Sequence, residues 1–254
     1  MAKLKRGKPC WYELSTTDPD AAGRFYSHVI GWTVADSGME GFDYRLARMG
    51  QAMVAGIMAA QPGMPPAWGF YVTVNDCDKA ARAIGKAGGT VVFGPMDVPG
   101  TGRFAAALDP QGAAFGIMQM LDDDSDAFDQ KADGHGKWHE LMTSDPVAAL
   151  DFYGKLFGWK AGQAMDMGPQ GTYQLFRHGK ADIGGMMRLS SQMPGPGGPF
   201  WLPYFGSEGL NDAITRIHGS GGQVLHGPHE VPGGAFIAVA RDPQGATFAL
   251  VGPR

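Results

Sequence analysis

The chain carries one sequence pattern twice, in the same order. The segment Trp-Tyr-Glu-Leu at 11–14 returns as Trp-His-Glu-Leu at 138–141, a shift of 127 residues from Trp11 to Trp138. Near the end of each copy, Asp-Pro-Gln-Gly stands at 109–112 and again at 242–245. Several matches in one order indicate an internal duplication. We therefore predict two domains of one fold, residues 1–120 and 138–254, joined by an exposed acidic linker at 121–137.

Composition excludes several classes of protein. Hydrophobic residues make up 44% of the chain and charged residues 18%, which is typical of a packed core rather than of a disordered chain or a coiled coil. A net charge of −4 without a basic stripe argues against a nucleic-acid partner. No apolar run reaches the roughly 18 residues of a membrane span, and the N-terminus lacks the apolar segment of a signal peptide. Two distant cysteines are expected to be reduced, so we expect a cytoplasmic protein without a membrane partner.

Each copy is predicted to contain two βαβββ modules. Asp18 and Pro19 are typical of a helix start, and Gly31 of a helix end. A Pro/Gly-rich break at 61–66, with its counterpart at 193–199, separates the first module from the second. The first copy's predicted strands are 11–16, 32–35, 44–49, 53–59, 68–74, 90–93, 103–108 and 113–118, with helices at 19–30 and 76–87. This α+β pattern predicts an incompletely closed, eight-stranded cupped sheet in each domain, whose bare face can hold a small ligand.

These features resemble the vicinal-oxygen-chelate superfamily, which includes glyoxalases, bleomycin-resistance proteins and extradiol dioxygenases. The resemblance rests on the strand leading into Asp18-Pro19, the aromatic helix ending at Gly31-Trp32, the Gly88-Gly89 stop and the Asp-Pro-Gln-Gly turn, each found twice. It covers nearly the whole chain. It is strongest to the tandem, glyoxalase-like subgroup.

The resemblance also implies where a metal would bind, and the residues at those positions are unsuitable. The positions at which metal-using members carry ligands fall on Trp11, Gly69, Gly116, Trp138, Leu202 and Ala249. A divalent ion needs several converging His, Glu, Asp or Cys donors. We therefore predict no metal and no cofactor at these positions. A one-residue slip in the first strand would place Tyr12 and His139 there, which supplies one ligand in one copy.

Two strand faces carry the candidate site residues. Trp11 and Glu13 are two residues apart and share a face, and Trp138 with Glu140 repeats the pair. A carboxylate beside an indole is suited to binding a cationic or hydroxylated ligand, or to acting as a general base; the alternative is a structural glutamate that holds the modules together. His139, Tyr71 and Tyr204 complete the predicted lining.

Histidines in the second copy and glycine-rich segments in both copies allow two further interpretations. His226 and His229, with Glu230, have a short spacing that resembles a metal-ligand motif. They flank Gly227-Pro228, which predicts a turn, and their counterparts in the first copy are Phe93 and Met96. The segments at Gly94-Pro95, 98–102 and 231–234 precede strands rather than helices. They therefore indicate β-turns and not phosphate loops.

Three functions remain compatible with the sequence. The first is a metal-free, sequestering protein that binds a small apolar or aromatic molecule, as bleomycin-resistance proteins do by the resemblance. The second is a lyase, isomerase or oxygenase that uses Glu13 or Glu140 as a base, or a metal with unusual ligands. The third is an interaction protein with filled cups. Monomer and homodimer are both compatible with a fused repeat.

Overall fold

The computed structural model describes residues 6–121, 125–190 and 195–254. The first repeat contains β1 (Pro9–Thr16), α1 (Pro19–Ile30), β2 (Thr33–Asp36), β3 (Tyr44–Met49), β4 (Ala52–Ala59), β5 (Ala67–Thr73), α2 (Cys77–Lys86), β6 (Thr90–Val98), β7 (Gly102–Leu108) and β8 (Ala114–Met120). The second repeat contains β9 (Gly136–Thr143), α3 (Pro146–Phe157), β10 (Lys160–Asp166), a 3₁₀ turn (Gly168–Gln170), β11 (Thr172–His178), β12 (Ala181–Arg188), β13 (Phe200–Gly206), α4 (Leu210–Gly219), β14 (Gln223–Glu230), β15 (Phe236–Arg241) and β16 (Thr247–Gly252).

Each repeat forms one eight-stranded mixed sheet. The strand order is β2-β3-β4-β1-β5-β8-β7-β6 in the first repeat and β10-β11-β12-β9-β13-β16-β15-β14 in the second. Within each module the first strand runs parallel to the last, as Glu13 opposite Gly56 shows, while the other pairs are antiparallel. The first and last strands in each order are not hydrogen-bonded to each other, so neither sheet closes into a barrel. The predicted α+β fold of two tandem domains, each with two βαβββ modules, is confirmed.

The first helix of each repeat begins and ends where the sequence predicts. The Asp18 carboxylate accepts a hydrogen bond from the backbone N–H of Ala21, and Asp145 accepts from those of Val147 and Ala148. These bonds satisfy N–H groups that the helix itself leaves without partners. Gly31 ends α1 at φ 91°, a left-handed conformation that glycine adopts without steric cost.

The turn interpretation is wrong at Gly94-Pro95 and Gly227-Pro228, because β6 and β14 continue through these dipeptides. It is confirmed at Val98-Pro99-Gly100, where the Thr101 N–H donates to the Val98 carbonyl, and at 231–234, where the Gly234 N–H donates to the Val231 carbonyl. β6 continues past residue 93 through Gly94-Pro95 to Val98, and β14 includes Gly227-Pro228. Both strands shift register twice against their antiparallel neighbours, at 91/93 and 93/96 in β6 and at 224/226 and 226/229 in β14. β-bulges of this kind absorb a glycine and a proline without ending the strand.

The predicted acidic linker is packed over part of its length. Ala127 and His135 are buried, and the Lys8 ammonium donates a hydrogen bond to the Ser125 carbonyl. The expectation of an exposed linker is therefore wrong for these residues, because their apolar and backbone groups find partners in the folded chain. Residues 122–124, and residues 193–194 of the second Pro/Gly break, lie outside the described residues.

The chain divides into two compact units, and each contains one module from each repeat. One unit comprises the described residues up to Cys10, Gly69–Ser125 and Trp138–Leu202; the other comprises Trp11–Trp68, Asp126–Lys137 and Pro203–Arg254. The predicted boundaries at 120 and 138 describe the duplication in the sequence and stay predictions for the fold. Among the described residues, no helix has the length and apolar character required to cross a membrane.

A buried hydrogen-bonded relay of three side chains lies in each unit. The Trp68 indole N–H donates to the Tyr26 hydroxyl at 2.8 Å, and that hydroxyl donates to Asp242 Oδ2 at 2.9 Å. In the other unit, the Trp201 indole donates to Tyr153 at 2.9 Å, and Tyr153 donates to Asp109 Oδ2 at 3.0 Å. In each relay, the tyrosine lies on a helix and the tryptophan on a strand of one repeat, and the aspartate lies in the Asp-Pro-Gln-Gly turn of the other repeat. The relay therefore connects the two repeats.

The aspartate of each relay also shapes its own turn. Asp242 Oδ1 accepts hydrogen bonds from the backbone N–H groups of Gln244, Gly245 and Ala246. Burial raises the pKa of Tyr26 well above its ordinary value, and the Asp242 charge raises it further, so the phenol keeps the proton that it donates. The most distinctive repeated motif in the sequence is therefore structural.

His139 lies in the core and not on the face that carries Trp138 and Glu140. It is 1% exposed, its ring centroid lies 4.7 Å from that of Phe70, and its Nδ1 is 3.0 Å from the Ile183 carbonyl oxygen. Burial lowers the pKa of His139 from 6.5 to about 4, although the bond to Ile183 opposes the shift. The imidazole is neutral at pH 7 and packs as an apolar ring.

Removing the hydroxyl from either relay is expected to destabilise the fold. Tyr26→Phe leaves the buried Trp68 N–H and one Asp242 oxygen without a partner, and Tyr153→Phe does the same at Trp201. Each substitution is expected to lower the free energy of unfolding by about 1–3 kcal/mol, measured by urea denaturation. Val147→Ala, at a side chain 81% exposed, is the control and should stay within about 0.5 kcal/mol of wild type. Wild-type stability in Tyr26→Phe would contradict the role of the relay.

The neutral histidine in the core makes stability depend on pH. Between the unfolded pKa of 6.5 and the folded pKa of about 4, the unfolded chain binds a proton at His139 that the folded chain does not. The contribution of His139 to the free energy of unfolding is therefore complete above pH 6.5. The free energy of unfolding decreases by about 3 kcal/mol as the pH falls from there to 4. His139→Phe should lack this dependence, measured as the difference in unfolding free energy between wild type and variant at each pH. Parallel pH profiles of the two proteins would be inconsistent with a buried neutral imidazole.

Candidate functional site

Trp11, Tyr44 and Glu13 form a hydrogen-bonded group in the first repeat. The Trp11 indole N–H donates to the Tyr44 hydroxyl at 2.9 Å, and that hydroxyl donates to Glu13 Oε2 at 3.0 Å. Trp11 and Glu13 are half-buried on alternate residues of β1, whereas Tyr44 on β3 is buried. The strand alternation thus brings the two predicted residues to one face, and the tyrosine joins them.

The second repeat contains the same arrangement. The Trp138 indole donates to the Tyr173 hydroxyl at 2.9 Å, and Tyr173 hydrogen bonds to Glu140. Trp138 and Glu140 are again half-buried and lie two residues apart on β9. We refer to Trp11–Tyr44–Glu13 and Trp138–Tyr173–Glu140 as the Trp–Tyr–Glu groups. Each lies wholly within one compact unit.

Glycines leave the space that the two tyrosine rings occupy. A Cβ atom on Gly56 would lie 1.7 Å from the Tyr44 hydroxyl oxygen, and one on Gly185 would lie 2.1 Å from Tyr173 Cζ. These glycines stand directly opposite Glu13 and Glu140 in the parallel strand pairs. Tyr44 and Tyr173 were not among the predicted site residues. Their equivalent positions at the start of β3 and β11 were the available signal.

The environment keeps both tyrosines protonated. Burial raises the pKa of Tyr44 well above its ordinary value of 10, and the negative charge of Glu13 raises it further. Tyr173 beside Glu140 has its pKa raised by the same two causes. A protonated phenol donates to the carboxylate and accepts from the indole. Each group therefore presents a positioned carboxylate beside a flat indole.

The two repeats differ at the edge of the Trp–Tyr–Glu group. Phe42 stacks on Tyr44 in the first repeat, with ring centroids 5.7 Å apart and an interplanar angle of 24°, and it is 46% exposed. The residue two positions before Tyr173 is Gly171, which has no side chain to stack. The first group consequently has an additional aromatic surface open to solvent.

Tyr71 and Tyr204 occupy equivalent positions on β5 and β13. Tyr71 is buried opposite Gly116, and the Phe104 ring contacts its edge with a centroid distance of 5.9 Å. Tyr204 is buried opposite Ala249. A Cβ on Gly116 would lie 2.1 Å from Tyr71 Cδ1, so the tyrosine ring covers that backbone position.

The side chains at the predicted metal positions do not fit a divalent ion. The indoles of Trp11 and Trp138 use their N–H groups as donors to tyrosine, and Gly116 lies under the Tyr71 ring. Leu202 and Ala249 are buried and apolar. Within residues 6–121, 125–190 and 195–254, no group of three or more His, Cys, Asp or Glu side chains is arranged to hold a metal.

A polar surface groove of about 580 Å³ lies along α1 and β2. Its lining includes Asp20, Arg24 and Arg45, and Arg45 forms ion pairs with Asp20, Asp36 and Asp43. None of the three residues of the first Trp–Tyr–Glu group lines it. The groove is therefore a different surface from the candidate site.

Relatives of similar length match the chain along nearly all of it. "Putative glyoxylase CFP32" of Mycobacterium bovis is 32% identical over 259 residues, covering 99% of this chain and 97% of the relative. "Anthracycline biosynthesis protein DnrV" of Streptomyces peucetius is 30% identical over 274 residues, covering 99% of this chain and 95% of the relative.

Solved structures share the fold at low sequence identity. The Mn(II)-bound glyoxalase from Novosphingobium aromaticivorans is 16% identical with a TM-score of 0.67, covering 97% of this chain and 82% of that one. The 2,3-dioxygenase LapB from Pseudomonas sp. KL28 is 12% identical with a TM-score of 0.70, covering 98% and 93%. The family model of the Glyoxalase/Bleomycin resistance protein/Dioxygenase superfamily matches residues 10–117 and again 137–250. With both repeats matched and two relatives at least 30% identical over the whole chain, the protein belongs to this superfamily.

Proposed function

We propose that the protein binds a small, planar aromatic molecule at its Trp–Tyr–Glu groups and sequesters it without using the superfamily's metal. The observation that carries this proposal is the construction of the same group twice, from the same strands. A half-buried indole supplies flat apolar area, and the carboxylate beside it supplies a hydrogen-bond acceptor. Small-molecule sites commonly combine apolar surface with a few placed polar groups.

The polar end of the site suits a hydroxyl or ammonium group of the ligand. Glu13 Oε2 accepts a hydrogen bond from the Tyr44 hydroxyl. A carboxylate can accept more than one hydrogen bond. The bond from tyrosine also restricts the carboxylate to one orientation, so less side-chain entropy is lost on binding. Glu140 is held by Tyr173 in the same way.

The apolar end is larger in the first repeat. Phe42 extends the aromatic surface of Tyr44 toward solvent, whereas the second repeat has Gly171 there. Exposed aromatic rings favour burial against a flat ligand, since the contact removes apolar area from water. The first repeat is therefore the stronger candidate for an extended polycyclic ligand.

The name of the Streptomyces relative agrees with such a ligand. The Streptomyces relative is named for anthracycline biosynthesis, and anthracyclines are planar, hydroxylated polycyclic molecules. Indole, stacked phenyl rings and a carboxylate complement the rings, the hydroxyls and the amine of such a molecule. We extend this ligand class to the present chain as part of the proposal.

An enzyme that uses Glu13 or Glu140 as a general base is the second candidate. It is favoured by the orientation of each carboxylate beside a protonated phenol and by the name glyoxylase given to the mycobacterial relatives. A lyase, isomerase or oxygenase step at this site would need the carboxylate within hydrogen-bonding reach of the proton that it removes.

Neutralising the two carboxylates is expected to weaken ligand binding. Doxorubicin serves as the probe, and its affinity is measured by fluorescence titration of the full-length chain. Glu13→Gln and Glu140→Gln each remove a charged acceptor from one group, so the affinity of that group should decrease about ten-fold or more. Glu40→Gln, at an exposed glutamate outside both groups, is the matched control and should bind as wild type does. Unchanged binding in the double variant would rule out the Trp–Tyr–Glu groups as the site.

A turnover assay separates sequestration from catalysis. Methylglyoxal–thiol adducts and catechols are incubated with the chain, and product formation is followed by absorbance. The binding proposal predicts no turnover above the uncatalysed rate. Turnover that Glu140→Gln or Glu13→Gln abolishes, with folding intact by circular dichroism, would instead establish the carboxylate as a base.

A further inference from the structure

His226 and His229 come together on the edge strand of the second sheet. β14 shifts register twice against β15, and the bulges leave His226 opposite Val239 and His229 opposite Ile237. The ring centroids lie 4.3 Å apart at an interplanar angle of 48°. Both side chains are exposed. The bulged backbone thus places two imidazoles side by side where solvent reaches them.

The ring nitrogens of this pair are not used by the surrounding structure. In the part of the chain that the structure describes, neither imidazole forms a hydrogen bond with another residue. A neutral imidazole binds a metal ion through a ring nitrogen.

We propose that His226 and His229 together bind one divalent transition-metal ion of the zinc, nickel or copper type, each through a ring nitrogen. Imidazole suits these ions, and metal–nitrogen bonds are about 2.0–2.1 Å long. When two imidazoles bind one ion with a nitrogen–metal–nitrogen angle between a right angle and the tetrahedral angle, bonds of this length place their ring centroids roughly 4.5–5 Å apart. The observed 4.3 Å therefore requires only a small rotation of the rings.

Water completes the coordination of this ion. The described residues contain no third His, Cys, Asp or Glu arranged with the pair, so two protein ligands leave open positions. Such a site is exposed and exchangeable, unlike a closed structural zinc site. It is distinct from the positions that the superfamily resemblance assigns to a metal, and it uses no residue of the Trp–Tyr–Glu groups. It therefore stands independently of the proposed function.

The first repeat provides the matched control. β6 has the same two register shifts as β14, and Phe93 and Met96 occupy the positions of His226 and His229. Phenylalanine and methionine do not offer imidazole nitrogens to a borderline ion. The backbone of the two strands therefore accepts either pair of side chains, and only the histidines can bind.

Isothermal titration of the tag-free chain with zinc chloride alone tests the proposal. Wild type should bind one equivalent. The double variant His226→Phe/His229→Met, which installs the residues of the first repeat, should bind at least ten-fold more weakly while its thermal unfolding midpoint stays close to that of wild type. Failure of wild type to bind zinc, or binding that survives the double variant, would overturn the assignment.

The reciprocal graft tests whether the strand geometry alone creates the site. Phe93→His/Met96→His places two imidazoles on the equivalent bulged strand of the first repeat. The grafted chain should bind a second equivalent of zinc. A grafted chain that still binds a single equivalent would show that the pairing of histidines on this backbone is insufficient, and the proposal would fail.

Discussion

The architecture depends on two buried Trp–Tyr–Asp relays, Trp68–Tyr26–Asp242 and Trp201–Tyr153–Asp109. Each places a carboxylate, a phenol and an indole N–H inside an aromatic core, where any unpaired polar group would be costly. The aspartate also satisfies the backbone N–H groups of its own turn. A single side chain thus closes a turn of one repeat and fixes a helix of the other. The relays are among the contacts that join modules of different repeats within one compact unit.

Like the relays, the Trp–Tyr–Glu groups of the candidate site each consist of an indole, a phenol and a carboxylate, but these side chains are less buried. In the Trp–Tyr–Glu groups, the indole and the carboxylate are half-buried and only the tyrosine is buried. The buried phenol holds the other two in place, whereas in the relays all three members are enclosed. The glutamate carboxylate is one methylene longer than that of aspartate and lies on a strand face, where it is half-exposed to solvent. Gly56 and Gly185 make these groups possible because any side chain there would displace the tyrosine ring.

The two repeats share their buried Trp–Tyr–Asp relays and differ at several positions where side chains meet solvent. Phe42 against Gly171, and Phe93 with Met96 against His226 with His229, change the chemistry of equivalent surfaces without altering the strands that carry them. Buried positions such as Tyr26 and Tyr153 are constrained by hydrogen-bonding partners and close packing, and the exposed positions are not. A duplicated fold can therefore hold two different binding surfaces on one backbone plan.

The sequence by itself determined the duplication, the order of modules, the helix caps at Asp18 and Asp145, and the shared face of Trp11 with Glu13. These features depend on local rules of capping and strand alternation. Only the tertiary structure decided that Tyr44 joins Trp11 to Glu13, that His139 packs in the core, and that His226 meets His229 across two bulges. Such pairings depend on strand register and on contacts between distant segments. A linear pattern does not encode which of several aromatic or histidine side chains will meet.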